Sequence, residues 1–176
     1  MNPLTAFRKL FRVRHSEILL RAGYNVILGD SRRYGPSQGA IATYGWLERA
    51  DALAIVDALV ASEHPTHLLA LRESMGAGIA LQCAAGETRI EAVVAQAPFA
   101  SLRDASYDYA GLRWSPLLGK TLFAPFRWML VSRGECLAGF SASDISPEKA
   151  VAERVFPVLL ICDANDVALP CRHASL

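Results

Sequence analysis

Four nearly continuous apolar runs, separated by helix-like segments, constrain the fold of this chain more than any other feature. The runs cover residues 24–28, 68–71, 90–97 and 155–162. Continuous apolar runs of this length are typical of strands in a parallel sheet. Because strands that alternate with helices build such sheets, the sequence predicts an α/β fold, with a largely parallel sheet and helices on both faces.

The longest helix-like segment follows Thr43, whose hydroxyl can cap a helix. Trp46 and Val56 belong to an apolar stripe at helical spacing, whereas Glu48 falls outside that stripe on the polar side. We expect the helix to end near His64, because a proline comes next.

The size and composition of the chain are those of one globular domain. A chain of about 150 residues can bury roughly 70% of its unfolded surface, and this chain has 176 residues. Its 52% of hydrophobic and 20% of charged residues exclude a disordered protein. We therefore predict a single domain over residues 1–176. Residues 99–152 are rich in aromatic side chains and are predicted to form a lid or cap inserted between two strands.

The net charge of +1 gives the chain no general attraction for nucleic acid. Basic residues nevertheless crowd the first 21 positions, beside Leu4, Phe7 and Phe11 at helical spacing. Such a helix can lie on a membrane or be an ordinary surface helix, and we favour the second interpretation. Charges and a proline interrupt the most membrane-like stretch, residues 117–131, so we predict neither a membrane span nor a signal segment.

The cysteines show no spacing typical of a metal site. Cys83, Cys136, Cys162 and Cys171 form no C-x-x-C pair, and no histidine follows at metal-ligand spacing. Two of them lie in apolar stretches, where cysteine behaves as a small hydrophobic residue. The sequence therefore predicts reduced thiols, no metal and a cytoplasmic protein.

Ser74 stands where an apolar run meets a segment of small, helix-compatible residues. A serine on a sharp strand-to-helix turn can act as a nucleophile, because the turn lifts the hydroxyl clear of the sheet. The backbone N–H of Met75 would face the developing oxyanion. The alternative is that Ser74 only caps the helix. The pattern G-x-S-x-G asks for small residues on both sides; Gly76 fits, whereas Arg72 is expected to crowd the turn.

Three segments resemble one known family. The run Arg72–Gln82 is similar to the nucleophile elbow and following helix of α/β-hydrolases, and Ala97–Leu102 is similar to the segment after their next strand. Asp30–Ser37 resembles their D-x-R-G-x-G-x-S loop, with Arg33 where the family has a glycine. The chain thus resembles the α/β-hydrolases, and its nearest relatives look like bacterial serine aminopeptidases and dienelactone hydrolases.

The end of the chain resembles the family's acid loop. Phe156–Cys162 and then Asp163–Pro170 are similar to a late strand and its G-x-x-D-x-x-x-P loop. This resemblance assigns the catalytic acid to Asp166, which would orient a histidine, and leaves Asp163 at the surface. The family's catalytic histidine follows one further strand. His173 stands too close to Asp166 and is expected to begin a helix without a catalytic role.

The resemblance therefore implies an incomplete α/β-hydrolase fold with a helical lid. It implies a serine hydrolase of small-molecule esters, thioesters or amides, with Ser74 and Asp166 as catalytic residues and Met75 in the oxyanion hole. Neither a metal nor an organic cofactor is implied. Because the histidine and the second oxyanion N–H are expected to be missing, we expect impaired activity. The alternative is a non-catalytic domain that binds a small molecule or a partner.

Overall fold

Two compact units make up the chain: an N-terminal unit, Met1–Gln38, and a main unit, Gly39–Leu176. The computed structural model describes residues 15–39, 41–112 and 124–174. In the N-terminal unit residues 15–21 form a helix, α1, which includes His15 as expected. An exposed Arg21–Glu17 ion pair of 2.6 Å spans one turn of it. The predicted basic helix around Leu4–Phe11 lies outside the described residues.

The prediction of a strand over residues 24–28 is wrong. This segment has no ladder partner among the described residues, and a strand exists only when a neighbour completes its hydrogen bonds. Tyr24, Ile27 and Leu28 are all more than half exposed. Their β-forming side chains are thus not packed into a sheet.

The main unit alternates helices and strands as expected. Its elements are α2 (Glu48–Glu63), β1 (Leu68–Glu73), α3 (Met75–Gly86), β2 (Ile90–Gln96), α4 (Leu102–Leu112), α5 (Ala124–Ala138), α6 (Pro147–Glu153) and β3 (Val158–Ile161). Short 3-10 helices lie at Ala142–Asp144 and Cys171–Ala174. The three strands form one sheet in the order β1-β2-β3, and both pairings are parallel. The predicted α/β class with a parallel sheet is confirmed.

One face of this sheet carries the main core. Ala70, Val93 and Val158 share a face by their register and pack in one cluster with side chains of α2, α3 and α6. On the opposite face Leu69 and Leu159 are 50% and 57% exposed. Helices were expected on both faces. Among the described helices of the main unit, the three that join this cluster pack on its face of the sheet.

Helix α2 begins later than Thr43 because a buried polar turn precedes it. The Glu48 carboxylate accepts hydrogen bonds from the Thr43 N–H (2.7 Å), the Thr43 hydroxyl (2.5 Å) and the Gly45 N–H (2.9 Å). Glu48 is therefore buried, although the periodicity predicted a polar face. The helix ends at Glu63, as expected, and His64 follows in the left-handed conformation.

The segment between β2 and β3 is mainly helical where it is described. Phe99, Ala105 and Ile145 form a second buried cluster with Leu169. The Phe140 ring stacks on Trp46, with ring centroids 6.3 Å apart, which holds the end of this segment against the start of α2. The stretch 117–131 lies partly outside the described residues. None of the described helices is long and apolar enough to cross a membrane.

Candidate active site

Ser74 lies alone between the last residue of β1 and the first residue of α3, at φ 55° and ψ −123°. Only glycine adopts such angles without cost, and for other residues the strain is about 1–3 kcal/mol. The Ser74 N–H donates to the Gln96 carbonyl at 2.8 Å, which anchors the turn to β2. The expected sharp strand-to-helix turn is therefore present at Ser74.

The N-terminus of α3 lies directly behind this serine. The Ser74 carbonyl accepts the N–H groups of Ala77 (2.9 Å) and Gly78 (3.3 Å) and so opens the helix. No side-chain hydrogen bond from Ser74 caps the helix. The first N–H groups of a helix have no intrahelical acceptor and carry its positive dipole end. Met75 is the first helical residue, so its N–H is of this kind.

Close packing fixes the helix behind the turn. A methyl group added at Gly78 would come within 2.4 Å of the buried Phe99 ring, whereas one added at Gly76 would lie 3.5 Å from the Arg72 side chain, an ordinary contact. Arg72 therefore lies along Gly76 without overlap. The expectation that Arg72 crowds the turn is wrong, because its aliphatic stem fits beside a residue that has no side chain.

Arg33 behaves differently from Arg72, although both stand where the family has a glycine. Its φ is +67°, in the left-handed region that glycine adopts most easily. Arg72 is absent from the described residues with positive φ. The tight turn expected in the loop of the N-terminal unit is thus present, with arginine in a glycine conformation.

Asp166 lies in the loop between β3 and the last 3-10 helix, residues 163–170, called here the acid loop. Its Oδ1 accepts the N–H groups of Ala168 (2.8 Å) and Leu169 (3.0 Å). Its own N–H donates to the Asp163 carbonyl at 3.0 Å. The carboxylate is half-buried and held by its own loop, while Asp163 is exposed as expected.

The acid loop and the serine turn belong to the same edge of the sheet. Ser74 follows β1 and the acid loop follows β3, and in a parallel sheet all strands end at one edge, called here the carboxyl edge. β2 separates the two strands, and strands lie about 4.8 Å apart, so their ends are about 10 Å apart. The two residues that the resemblance assigns to catalysis therefore both follow strands at this edge.

His173 does not serve Ser74 in this arrangement. Its Nδ1 accepts the Ala100 N–H at 3.3 Å, and its Nε2 lies 2.8 Å from an Asp108 oxygen. A backbone N–H can only donate, so Nδ1 is the acceptor and Nε2 carries the proton that Asp108 accepts. Both nitrogens of this buried ring are occupied. Its expected non-catalytic position is consistent with this geometry.

The other histidines of the main unit lie at the wrong end of β1. His64 and His67 precede the strand and Ser74 follows it, and six strand residues span about 20 Å. His67 is exposed and lies 2.8 Å from Glu91. No histidine described in this unit therefore reaches the serine.

The prediction of four reduced thiols is wrong, since Cys162 and Cys171 form a disulfide with Cα atoms 5.4 Å apart. β3 and the following 3-10 helix bring the two residues together, and this proximity is a property of the fold. Cys83 and Cys136 are free. Burial raises the pKa of the Cys83 thiol to about 12, so it stays protonated near neutral pH.

Asp108 anchors the residues that follow the acid loop, and the sequence analysis did not identify this role. It lies on α4, receives the His173 ring and pairs with Arg172, and so connects the inserted segment to the residues after the acid loop. Its only sequence signal is an acidic residue in a segment with helical periodicity. Among the described residues, no cluster of three or more His, Cys, Asp or Glu is placed to hold a metal ion.

A parallel sheet with a serine on a strained strand-to-helix turn, and an aspartate-bearing loop at the same edge, is the arrangement of the α/β-hydrolase fold. Comparison with known proteins identifies the family within this fold. The profile of the X-Pro dipeptidyl-peptidase (S15) family matches residues 4–125, and the chain belongs to this family.

One sequence relative and two solved structures are similar to this chain over most of its length. The chain is 30% identical over 162 residues to the uncharacterized protein YqkD of Bacillus subtilis (strain 168), covering 90% of this chain and 51% of YqkD. Two crystal forms of the Pyrococcus furiosus esterase Pf2001 match with TM-scores of 0.68 and 0.65 at 24% and 25% identity, covering 90% of this chain. The matched region makes up 57% and 56% of the two esterase chains. The chain thus spans about half the length of the relatives it matches.

Proposed function

We propose that this chain carries the nucleophile and acid of a serine hydrolase that cleaves small-molecule esters, thioesters or amides through an acyl-enzyme. Ser74 is the nucleophile, the Met75 N–H is one donor of the oxyanion hole, and Asp166 is the acid. Residues 99–152 form the lid of a single hydrolase domain. The observation that carries the proposal is the Ser74 backbone, since a strained turn of this kind persists only where the surrounding structure holds it.

The chemistry follows from this geometry. The Ser74 oxygen attacks the substrate carbonyl, and the N-terminal end of α3 stabilises the negative charge on the carbonyl oxygen. The leaving group departs with a proton, and water then cleaves the acyl-serine. A base must take the serine proton, and Asp166 would orient that base. The family is named for a peptidase and the matched structure is titled an esterase. Amide and ester bonds are both acyl bonds, which a nucleophilic serine can cleave through an acyl-enzyme.

We further propose that the 176-residue chain alone hydrolyses substrates slowly. Both ring nitrogens of His173 are engaged by Ala100 and Asp108, and His64 and His67 lie at the other end of β1. A triad that lacks one member keeps only about 10³–10⁴-fold of its catalysis over water. We expect little hydrolysis of a p-nitrophenyl ester by this chain.

A fluorophosphonate probe tests the nucleophile directly, because it reacts with an activated serine without needing turnover. We expect slow labelling of the full chain at Ser74, faster when imidazole is added as an external base. Ser74→Ala should abolish the labelling. Ser106→Ala is the matched control, because the Ser106 hydroxyl only donates to a carbonyl of its own helix. Labelling that survives Ser74→Ala would disprove the assignment.

The engaged histidine also favours a second candidate, a non-catalytic domain that binds a small molecule or a partner at the carboxyl edge. The two candidates differ in the reactivity of Ser74. If the folded chain remains unlabelled at Ser74 with and without imidazole, the hydroxyl is not activated and the binding role is favoured.

A further inference from the structure

A covalent bond closes the acid loop. Cys162 follows the last residue of β3 and Cys171 begins the next 3-10 helix, and their disulfide spans a sequence separation of nine residues. The loop that holds the Asp166 carboxylate lies entirely inside this bridge. The remaining cysteines, Cys83 and Cys136, take no part in it.

The hydrogen bonds that shape this loop are local. Asp163 accepts the Asn165 N–H at 2.9 Å, and Asp166 accepts the N–H groups of Ala168 and Leu169. Val167 is 70% exposed, whereas Leu169 is buried in the second cluster. Short-range hydrogen bonds of an exposed loop open easily unless the ends of the loop are held together.

Each end of the loop has its own anchor. The segment after the loop is fastened by the buried His173, which bonds to Ala100 and Asp108. The other end is the last residue of β3, Ile161, whose carbonyl accepts the Ala97 N–H at 2.7 Å. The disulfide joins these two ends directly and therefore limits how far the loop can open.

The bridge is accessible to a reductant, since Cys162 is exposed and Cys171 is half-buried. A thiolate of a dithiol attacks one sulfur, and the other cysteine sulfur leaves as a thiolate and takes a proton. The second thiol of the reductant then attacks the mixed disulfide. The products are two cysteine thiols and one oxidised dithiol, so atoms and electrons balance.

We propose that the Cys162–Cys171 disulfide is a redox-sensitive clamp on the acid loop. In the oxidised chain the clamp keeps Asp166 in contact with the N–H groups of Ala168 and Leu169. In the reduced chain the loop opens and the carboxylate loses these fixed donors. The effect on the order of the loop is independent of the proposed function. Its consequence for hydrolysis rests on the proposed function.

Amide hydrogen exchange of the full chain tests the clamp without using Ser74. We expect the Ala168 and Leu169 amides to exchange at least about tenfold faster after treatment with dithiothreitol, because reduction removes the closure constraint. The amides of β2 should keep their rates. Mass spectrometry of the alkylated protein confirms that the bond is cleaved.

Three variants complete the test. Cys162→Ser and Cys171→Ser should show fast exchange at Ala168 and Leu169 that dithiothreitol no longer changes. Cys136→Ser removes an exposed thiol outside the bridge and should respond as the unmodified chain does. If the bridge variants fail to fold, reduction of the unmodified chain still decides the outcome.

Two results would overturn the clamp. Unchanged exchange after verified reduction would show that the loop is ordered without the bond. Equal acceleration in β2 would show that the disulfide holds the whole unit rather than the loop. Neither result depends on whether Ser74 reacts with a fluorophosphonate, so failure of the clamp and failure of the proposed function are distinguishable.

Discussion

Two strained residues lie at the carboxyl edge of the sheet, each braced by the next strand. Ser74 and Ala97 have φ values of 55° and 46°, and each costs about 1–3 kcal/mol in such a conformation. The Ser74 N–H bonds to the Gln96 carbonyl at 2.8 Å and the Ala97 N–H to the Ile161 carbonyl at 2.7 Å. Each strand thus fixes the residue that follows its neighbour.

The backbone strain at Ser74 predicts that glycine is more favourable than alanine at this position. Ser74→Ala keeps a side chain in a glycine conformation, whereas Ser74→Gly relieves it. We expect Ser74→Gly to be more stable than Ser74→Ala by about 1 kcal/mol, even though glycine favours the unfolded chain. Urea unfolding with equal slopes measures the difference. If the alanine variant is the more stable one, the turn is not strained.

Arg72→Gly should destabilise the chain. If Arg72 crowded the turn, the same substitution would stabilise it. Its stem leaves ordinary contact distance, 3.5 Å, to a methyl group added at Gly76, and its φ is not positive. The glycine variant loses the stem and gains entropy when unfolded, so we expect a loss of about 1 kcal/mol. Arg72→Met, which keeps a stem, is the control. A higher urea midpoint for Arg72→Gly would contradict this packing.

Two glycines of α3 offer a matched comparison. Gly78→Ala would place a methyl group 2.4 Å from the Phe99 ring, and overpacking of a buried site costs about 1–3 kcal/mol. Gly76→Ala has ordinary contacts and improves helix propensity, so it should stabilise the chain by up to about 1 kcal/mol. Thermal unfolding of both variants measures the contrast. Equal effects would mean that Phe99 can move aside.

At the scale of elements, Arg154 fastens the C-terminal end of α3. Its guanidinium donates to the carbonyls of Ala84, Glu87, Thr88 and Ile90. These carbonyls lie at the end of a helix and in the turn that follows, where backbone acceptors lack partners. One side chain from the segment after α6 therefore connects α3 to the start of β2.

Replacing Arg154 by methionine should destabilise the main unit. The stem is kept but the donors are lost, and hydrogen bonds to a charged group contribute about 1.5–3 kcal/mol. We expect a loss of about 2 kcal/mol, with a smaller loss for Arg154→Lys. Arg133→Met, at an exposed arginine of α5, should leave the midpoint unchanged. The assignment fails if both methionine variants behave alike.

The local pattern predicts the strands and helices of the main unit, and fails where the outcome depends on a distant partner. β2 and β3 lie within the predicted apolar runs, β1 begins with its run and extends two residues beyond it, and α3 follows Ser74 as expected. Residues 24–28 have the same local signal but no ladder partner among the residues that the structure describes. Glu48 lies on the polar side of a helical pattern, yet the loop before it supplies three donors that make burial favourable.

The residues of the candidate site likewise fall into two groups: those marked by a local motif, and those that only the fold brings together. Ser74 and Asp166 are marked by local motifs, so their positions at the carboxyl edge could be predicted from the order of the strands. The Asp108–His173 bond joins residues 65 positions apart, and no local pattern marks it. The Cys162–Cys171 bridge likewise depends on where the 3-10 helix lies after the loop.

For the whole molecule, the disulfide predicts how many thiols react under each condition. The native chain should react with Ellman's reagent at one thiol, Cys136, because Cys83 is buried with its pKa raised to about 12 by desolvation. Unfolding without reductant should expose a second thiol, and prior reduction should give all four. Cys136→Ser should remove the native signal. Four thiols in the unfolded, unreduced chain would contradict the disulfide.

The same bridge turns residues 162–171 into a closed covalent ring. A chain that is cut once inside a ring does not separate into two molecules. A protease that cleaves at the exposed Val167 would therefore leave the 3-10 helix, with the buried His173, attached to β3. The cut would pass unnoticed in a non-reducing gel and would release a fragment only when the sulfur–sulfur bond is broken.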